Sequence, residues 1–370
     1  MLEQTLQRTP LFAEHQALGG KLVPFAGWEM PVQYPRGINA EHQAVRTAAG
    51  LFDASHMGEL ELWGERALDL LQYVTSNDAS KLEVGQAQYS TLLNEDGRVI
   101  DDLLVYRFPD HYFVVVNASG READRAWFAR WAAQFGVEVR DRSDELGLIA
   151  LQGPNAPQIL ARLTDADLAA LPYYRFVEGT VAGVPALVSR TGYTGEAGYE
   201  LFLPWERTAD IWRALLDAGR DDGLVPAGLG ARDSLRLEMG YILYGNDLDL
   251  TRTPLEANLG WVTRLDKGDF LGRDVLQRQK EEGVAERLAG FRLLERGFPR
   301  HDYEIRHDGQ RVGSVSSGTL SPSLGYGIGL AYLPLALTRP GTRLEIVVRG
   351  QALPAEVVRP PFYTAGTAKG

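Results

Sequence analysis

The chain of 370 residues is 45% apolar and 24% charged, ordinary globular usage that can supply the cores of two or three domains. It has no cysteine, which excludes a disulfide framework, a thiolate nucleophile, an iron–sulfur cluster and any cysteine zinc site. A net charge of −11 opposes non-specific binding to nucleic acid or an anionic membrane; the opening residues lack a targeting pattern and no apolar run reaches membrane-spanning length, so the expectation is a cytoplasmic protein with neither kind of partner.

In chain order, Phe25-Ala26-Gly27-Trp28-Glu29-Met30-Pro31 reads as an aromatic-rich turn, and 40–49 as a short helix closed by Gly50. Residues 58–63 alternate as a strand, Ala67, Leu70, Leu71 and Val74 fall at helical spacing, and 86–93 is a second strand. A meander covers 89–119. Its turns are Asn94-Glu95-Asp96-Gly97 and Pro109-Asp110-His111, residues that take positive φ or bond their own backbone. Between the turns, Asp101 and Asp102 interrupt an otherwise strand-like run over 98–108. Asp is depleted in strands, since a buried carboxylate must be paired or neutralised. Period two puts Asp102 on the face of Ile100, Leu104 and Tyr106, and Asp101 on that of Leu103 and Val105. Periodicity leaves two readings open: a functional acid, or two acids bonding loop amides near a turn. Trp127, Phe128, Trp131 and Phe135 then mark a helix, followed by Gly136 and a strand at 137–139. The order βαβββαβ suggests a ferredoxin-like α+β unit with an added strand.

Further on, 146–152 is an apolar strand, 156–163 a helix, 181–190 a strand, and 191–200 a loop with three glycines feeding a strand at 201–203. A helix over 206–218 leads to Gly228-Leu229-Gly230-Ala231-Arg232, a glycine-rich helix entry without the third glycine of a dinucleotide fingerprint. It permits close approach of a ligand at Arg232, or simply a tight helix-packing turn. Residues 244–249 form an acid-rich polar turn, 273–282 a helix and 281–283 a boundary. Strands at 288–294, 310–316, 326–333, 343–348 and 352–358 then suggest a sandwich or jelly-roll-like domain. From 285 onward 11 Lys/Arg face 7 Asp/Glu, leaving −15 for residues 1–284, an asymmetry that suits docking of an acidic partner. None of the six histidines forms a helical pair around a Glu, so no catalytic metal is expected; Ser55-His56-Met57-Gly58 is the one suggestive histidine setting, and a hydrogen-bonded structural histidine is the expectation there.

Taken together, the 25–31 segment, Phe52-Asp53-Ala54-Ser55-His56-Met57, Ile100-Asp101-Asp102-Leu103, the 191–200 loop, 228–238 and Ser317-Gly318-Thr319-Leu320-Ser321-Pro322 resemble the aminomethyltransferase, or T-protein, family of the glycine cleavage system, from Thr9 to Tyr363. The resemblance implies interleaved folate-binding domains, at 1–55 with 141–225 and, including the ferredoxin-like unit, at 56–140 with 226–280. A C-terminal β-barrel or jelly-roll-like domain at 285–365 completes the chain. It implies transfer of the one-carbon unit from the aminomethylated lipoyl arm of H protein to tetrahydrofolate, giving methylenetetrahydrofolate, ammonia and dihydrolipoyl protein. By the same resemblance Asp102 is the catalytic acid, Tyr89, Asn117, Glu200 and Arg232 contact folate, and Met57, Tyr106 and Tyr193 are further pocket residues. A carboxylate at Glu200 suits the paired donors of a pterin edge, and one at Asp102 suits positive charge developing at the reacting carbon. A folate-dependent demethylase or oxidase subunit is the alternative enzyme; an iron–sulfur maturation factor and a pure interaction protein are the alternatives from other classes.

Overall fold

The computed structural model describes residues 5–369. The alternating residues of Gly58–Trp63 and of the meander form a five-stranded antiparallel sheet, ordered Gln86–Leu93, Val99–Arg107, His111–Val116, Gly58–Trp63, Glu138–Asp141. Helices Ala67–Val74 and Arg121–Phe135 cover one face, where Leu70, Leu71, Val74 and Phe128 meet Leu60, Leu62, Leu103 and Val105 in one core. This is the ferredoxin-like unit with its added strand, built because period two on the strands and helical spacing on the helices expose matching apolar faces.

A second sheet has six strands in the order Phe176–Val181, Val184–Ser189, Gly198–Pro204, Leu146–Gln152, Ala49–Asp53, Leu224–Pro226, with only the last pair parallel. Its outer face is closed by Ile159 and Leu160 of Ala156–Leu160 and by Ile211, Trp212 and Leu215 of Thr208–Ala218. The two sheets meet through their inner faces. There Tyr106, Phe113 and Val115 of the first pack against Leu148, Phe176 and Phe202 of the second, an aromatic layer of tilted and edge-to-face rings.

From Glu286 on, six strands close into a barrel ordered Glu286–Leu293, Gly327–Pro334, Gln310–Leu320, Glu304–His307, Arg343–Val348, Gln351–Val358. Closure pairs the first strand with the last and removes both sheet edges. The domain is therefore the barrel that the family resemblance implied rather than the sandwich that the strand pattern suggested, and the short strand Glu304–His307 is one that the sequence pattern does not mark. Helix Leu229–Glu238 joins the parts: Ala231 and Leu235 pack with Val45, Phe52 and Ala150, while Leu237 packs with Leu288, Ile328 and Leu330 of the barrel.

Other local expectations shift. The early helix is Ile38–Thr47, and Gly50 does not cap it but lies inside strand Ala49–Asp53, where a Cβ would sit 2.4 Å from the Val45 side chain. The helix expected over 156–163 stops at Leu160, and Phe176–Val181 is an additional strand. Past the barrel, the amides of Phe362 and Tyr363 donate to the Glu238 carbonyl, Thr367 Oγ1 donates to Glu196 Oε2 at 2.6 Å and the Ala368 amide donates to Gly195 O. The end of the chain thus belts the glycine loop that precedes Glu200. No helix among the described residues is long and apolar enough to cross a membrane.

Candidate functional site

Beside the aromatic layer the two sheets part around a cavity of about 160 Å³. One wall comes from the meander. Asp102 and Asp101 are both within strand Val99–Arg107 on opposite faces, so neither lies in a turn. Asp102 opens to the cavity: Tyr89, on the neighbouring strand, donates its hydroxyl to Oδ2 at 2.8 Å and Asn117 Nδ2 donates to Oδ1 at 2.9 Å. Burial first, and the adjacent Asp101 charge second, push the Asp102 carboxyl up to about 7. Asp101 is fully buried on the helix side, where it accepts the amide hydrogens of Asn117 and Asp102, each at 2.9 Å. Asp101 thus bonds amides from within the strand rather than near a turn, and Asp102 is the acid that faces the cavity.

The opposite wall is formed by Glu200 on Gly198–Pro204 and Arg232 on the first turns of Leu229–Glu238. Thr191 Oγ1 donates to Glu200 Oε2 at 2.5 Å. Burial raises the Glu200 carboxyl above its ordinary value, against the opposing effects of Thr191 and Arg232. Arg232 lies over the Tyr193 ring at 5.4 Å, and its Nη1 is 3.3 Å from His56 Nε2. Burial, then Arg232 itself, pushes His56 down to about 3, so the ring is neutral and its Nε2 accepts from the guanidinium. His56 Nδ1 then carries the proton, buried and without a hydrogen-bond partner among the described residues. The glycines entering this helix serve packing: a Cβ at Gly228 would sit 2.6 Å from the Val32 backbone, and one at Gly230 2.5 Å from Ile38. Their effect on the site is to seat the helix close enough for Arg232 to reach it.

Of the residues singled out in the sequence, Met57, Tyr89, Asp102, Asn117, Tyr193, Glu200 and Arg232 line the cavity together, from segments spread over most of the first 232 positions. Tyr106 does not. It is fully buried beneath the cavity within the aromatic layer, its hydroxyl 3.3 Å from Ser189 Oγ and 3.5 Å from Thr191 Oγ1, so it supports Thr191 and through it Glu200. Tyr174, Gln152 and Thr194 also line the cavity and escaped the sequence reading. Tyr174 sits at φ 63°, a strained conformation for a bulky residue that only the folded backbone reveals. Trp261 stacks on Tyr89 at 5.9 Å with most of its surface exposed.

The barrel contributes no cavity-lining residue. In its basic segment Arg292 pairs with Glu356 at 3.0 Å and Arg306 with Glu304 at 2.6 Å, while Arg296 and Arg300 are exposed. The positive field there is weaker than the residue count suggests.

Residues 11–267 match the family model of the GCVT N-terminal domain, and residues 286–364 that of the glycine cleavage T-protein C-terminal barrel domain. The chain is 49% identical over 358 residues to an aminomethyltransferase of Halothermothrix orenii, spanning 96% of this chain and 100% of that one. It is 51% identical over 359 residues to an aminomethyltransferase of Chloroherpeton thalassium, spanning 96% and 99%. The crystal structure of glycine cleavage system aminomethyltransferase T from Bartonella henselae matches with a TM-score of 0.92 at 34% identity, over 98% of this chain and 99% of that one. A fold and a sequence that agree over both parts of the molecule place the chain in the glycine cleavage T-protein family of aminomethyltransferases.

Proposed function

We propose that the cavity binds tetrahydrofolate and that Asp102 is the catalytic residue for transfer of the one-carbon unit from the aminomethylated lipoyl arm of H protein. The observation that carries this is Asp102 itself, a cavity-facing carboxyl raised to about 7 whose hydrogen-bond partners are a phenol and an amide rather than a cation. Such a group ionises near neutral pH and is free to take a proton.

In the reaction the carbon–sulfur and carbon–nitrogen bonds of the aminomethyl group break and two carbon–nitrogen bonds to the folate form. The two folate amine hydrogens end on the departing thiol and ammonia. As either old bond breaks, positive charge grows on the carbon. The Asp102 carboxylate stabilises that charge and relays the proton of the attacking amine. Across the cavity Glu200 offers a carboxylate edge to paired ring and amino donors, and Arg232, held by neutral His56, offers a cation to a carbonyl or anionic group. Holding both reactants in one water-poor space removes much of the entropic barrier.

Within this reading the folate-binding part divides into 1–55 with 141–225 and 56–140 with 226–280, ahead of the C-terminal domain at 285–365. Helix Leu229–Glu238 lies across that division, since Ala231 and Leu235 pack with Val45 and Phe52. The full-length likeness to aminomethyltransferases outweighs the demethylase or oxidase-subunit reading. The direct test is release of methylenetetrahydrofolate when the protein is mixed with aminomethylated H protein and tetrahydrofolate. Failure to release it, with both reactants shown to bind, would sink the proposal.

A further inference from the structure

The first turn of helix Arg121–Phe135 sets a third carboxyl, Asp124, against the back of the strand that carries Asp101 and Asp102. Asp101 and Asp124 are both fully buried, with their carboxyl groups brought together at Gly120. Gly120 makes the room: a Cβ there would lie 2.6 Å from Asp124 Oδ2 and 2.8 Å from Asp101 Oδ2. Two carboxylates cannot bond without a proton on one of them. That proton belongs on Asp124. Asp101 accepts the amide hydrogens of Asn117 and Asp102 and, at 2.7 Å, one from Asn117 Nδ2, whereas neither oxygen of Asp124 has a donor from elsewhere among the described residues. Burial, then the charge and hydrogen bond of Asp101, push Asp124 up to about 11. The single negative charge left on the pair lies by the N-terminus of the helix, where the backbone dipole favours it.

Asn117 links this pair to the cavity. Its Nδ2 donates both to Asp101 Oδ1 at 2.7 Å and to Asp102 Oδ1 at 2.9 Å. We propose that Asp124 is a positioning residue for the transfer reaction: as proton donor to Asp101 it fixes the Asp101 carboxylate, and through Asn117 and the Asp102 amide it sets the orientation and charged surroundings of Asp102. The inference rests on the role assigned to Asp102 above. The other titratable groups facing the three acids are the phenols of Tyr89, Tyr174 and Tyr193 from the cavity side and of Tyr244 from the segment after helix Leu229–Glu238, with Glu200 and Arg232 across the cavity. The phenols are neutral near pH 7, and the charge that raises Asp102 is that of Asp101.

The test compares Asp124→Asn, which keeps a donor toward Asp101, with Asp124→Ala, which removes it. Plateau kcat should fall on the order of tenfold in Asp124→Ala, the scale of one buried hydrogen bond to a charge. Its acid limb should move to lower pH, because Asp101 then takes up the proton itself and no longer holds Asp102 up. Asp124→Asn should restore both, with KM for tetrahydrofolate unchanged in either. An infrared difference spectrum of wild type against Asp124→Asn at neutral pH should show the loss of one protonated-carboxyl stretch, a readout that does not need Asp124→Ala to fold. A wild-type plateau and acid limb in Asp124→Ala, equal impairment in both variants, or no lost carboxyl band would each overturn the proposal. Full turnover in Asp102→Asn would instead sink the role of Asp102 and leave the infrared result standing.

Discussion

Two buried groups of acids in this molecule handle charge in opposite ways. At the cavity and behind it, Asp102 and Asp101 accept from amides and a phenol, Asp124 stands against Asp101, and all three carboxyls are raised. Around helix Leu229–Glu238 the acids are matched with cations. Arg236 binds Asp247 and Asp233 at 2.7 Å each, and Arg46 binds Glu196 at 2.7 Å and Glu238 at 2.8 Å. Barrel hydroxyls complete that second network, Ser317 donating to Asp247 and Ser321 to Glu238. Against the cost of burial, His42, Ser321 and Arg46 hold Glu238 down to about 2. Paired acids tie the barrel to the rest of the chain. Acids left without a cation stand at the cavity and behind it.

The contrast is broken most severely at the site. Asp102→Asn should fold normally and bind folate but lose roughly two to four orders of magnitude in kcat, the scale of a positioned acid–base or electrostatic group. Asp101→Asn should be milder, since its carboxyl faces away from the cavity; turnover assays giving the reverse ranking would exchange the two roles. In the paired network, Arg236→Ala leaves the buried Asp247 without its cation and should cost about 3–5 kcal/mol of stability, read from urea denaturation. A midpoint close to wild type would mean that this pairing does not hold the barrel in place. Glu200→Gln should weaken tetrahydrofolate binding by about 1.5–3 kcal/mol in calorimetry, because a charged acceptor edge becomes half donor. Unchanged affinity would give Glu200 a structural role only.

The two regions should also respond to pH with opposite sign. Asp102 is raised from 3.8 to about 7, so its contribution is present below its unfolded value and is lost as pH rises through about 7. Glu238 is lowered from 4.5 to about 2, so its contribution is present above its unfolded value and is lost as pH falls through about 2. Amide exchange corrected for intrinsic rates should therefore quicken in Val99–Arg107 from about pH 5 to about pH 8, and in Leu229–Glu238 from about pH 5 to about pH 3. Parallel responses would show that the pairing difference carries no energetic weight. The smallest effect belongs to the exposed rim: Arg296→Glu with Arg300→Glu should raise KM for H protein a few-fold and flatten its salt dependence, leaving folate parameters alone. An unaltered KM and salt slope would move docking off this segment.

The sequence by itself determined the local elements, because they follow from spacing along the chain. Alternation marked the meander, the apolar spacing of Leu70, Leu71 and Val74 marked a helix, and the family motifs marked Asp102, Glu200 and Arg232. Alternation also separated Asp101 from Asp102, yet it could not say which face would border a cavity. That depends on what packs against each face, a helix on one and a second sheet on the other, and both are contacts between distant segments. For the same reason only the tertiary structure moved Tyr106 beneath the site, brought Tyr174 into it and set Asp124 behind Asp101. Gly50 resembled a helix cap in sequence, and a crowded strand beside Val45 is what requires it. Barrel closure likewise rests on Glu286–Leu293 finding Gln351–Val358 across the whole domain. Periodicity reports which residues of a segment share a face; what that face meets is decided by the rest of the chain.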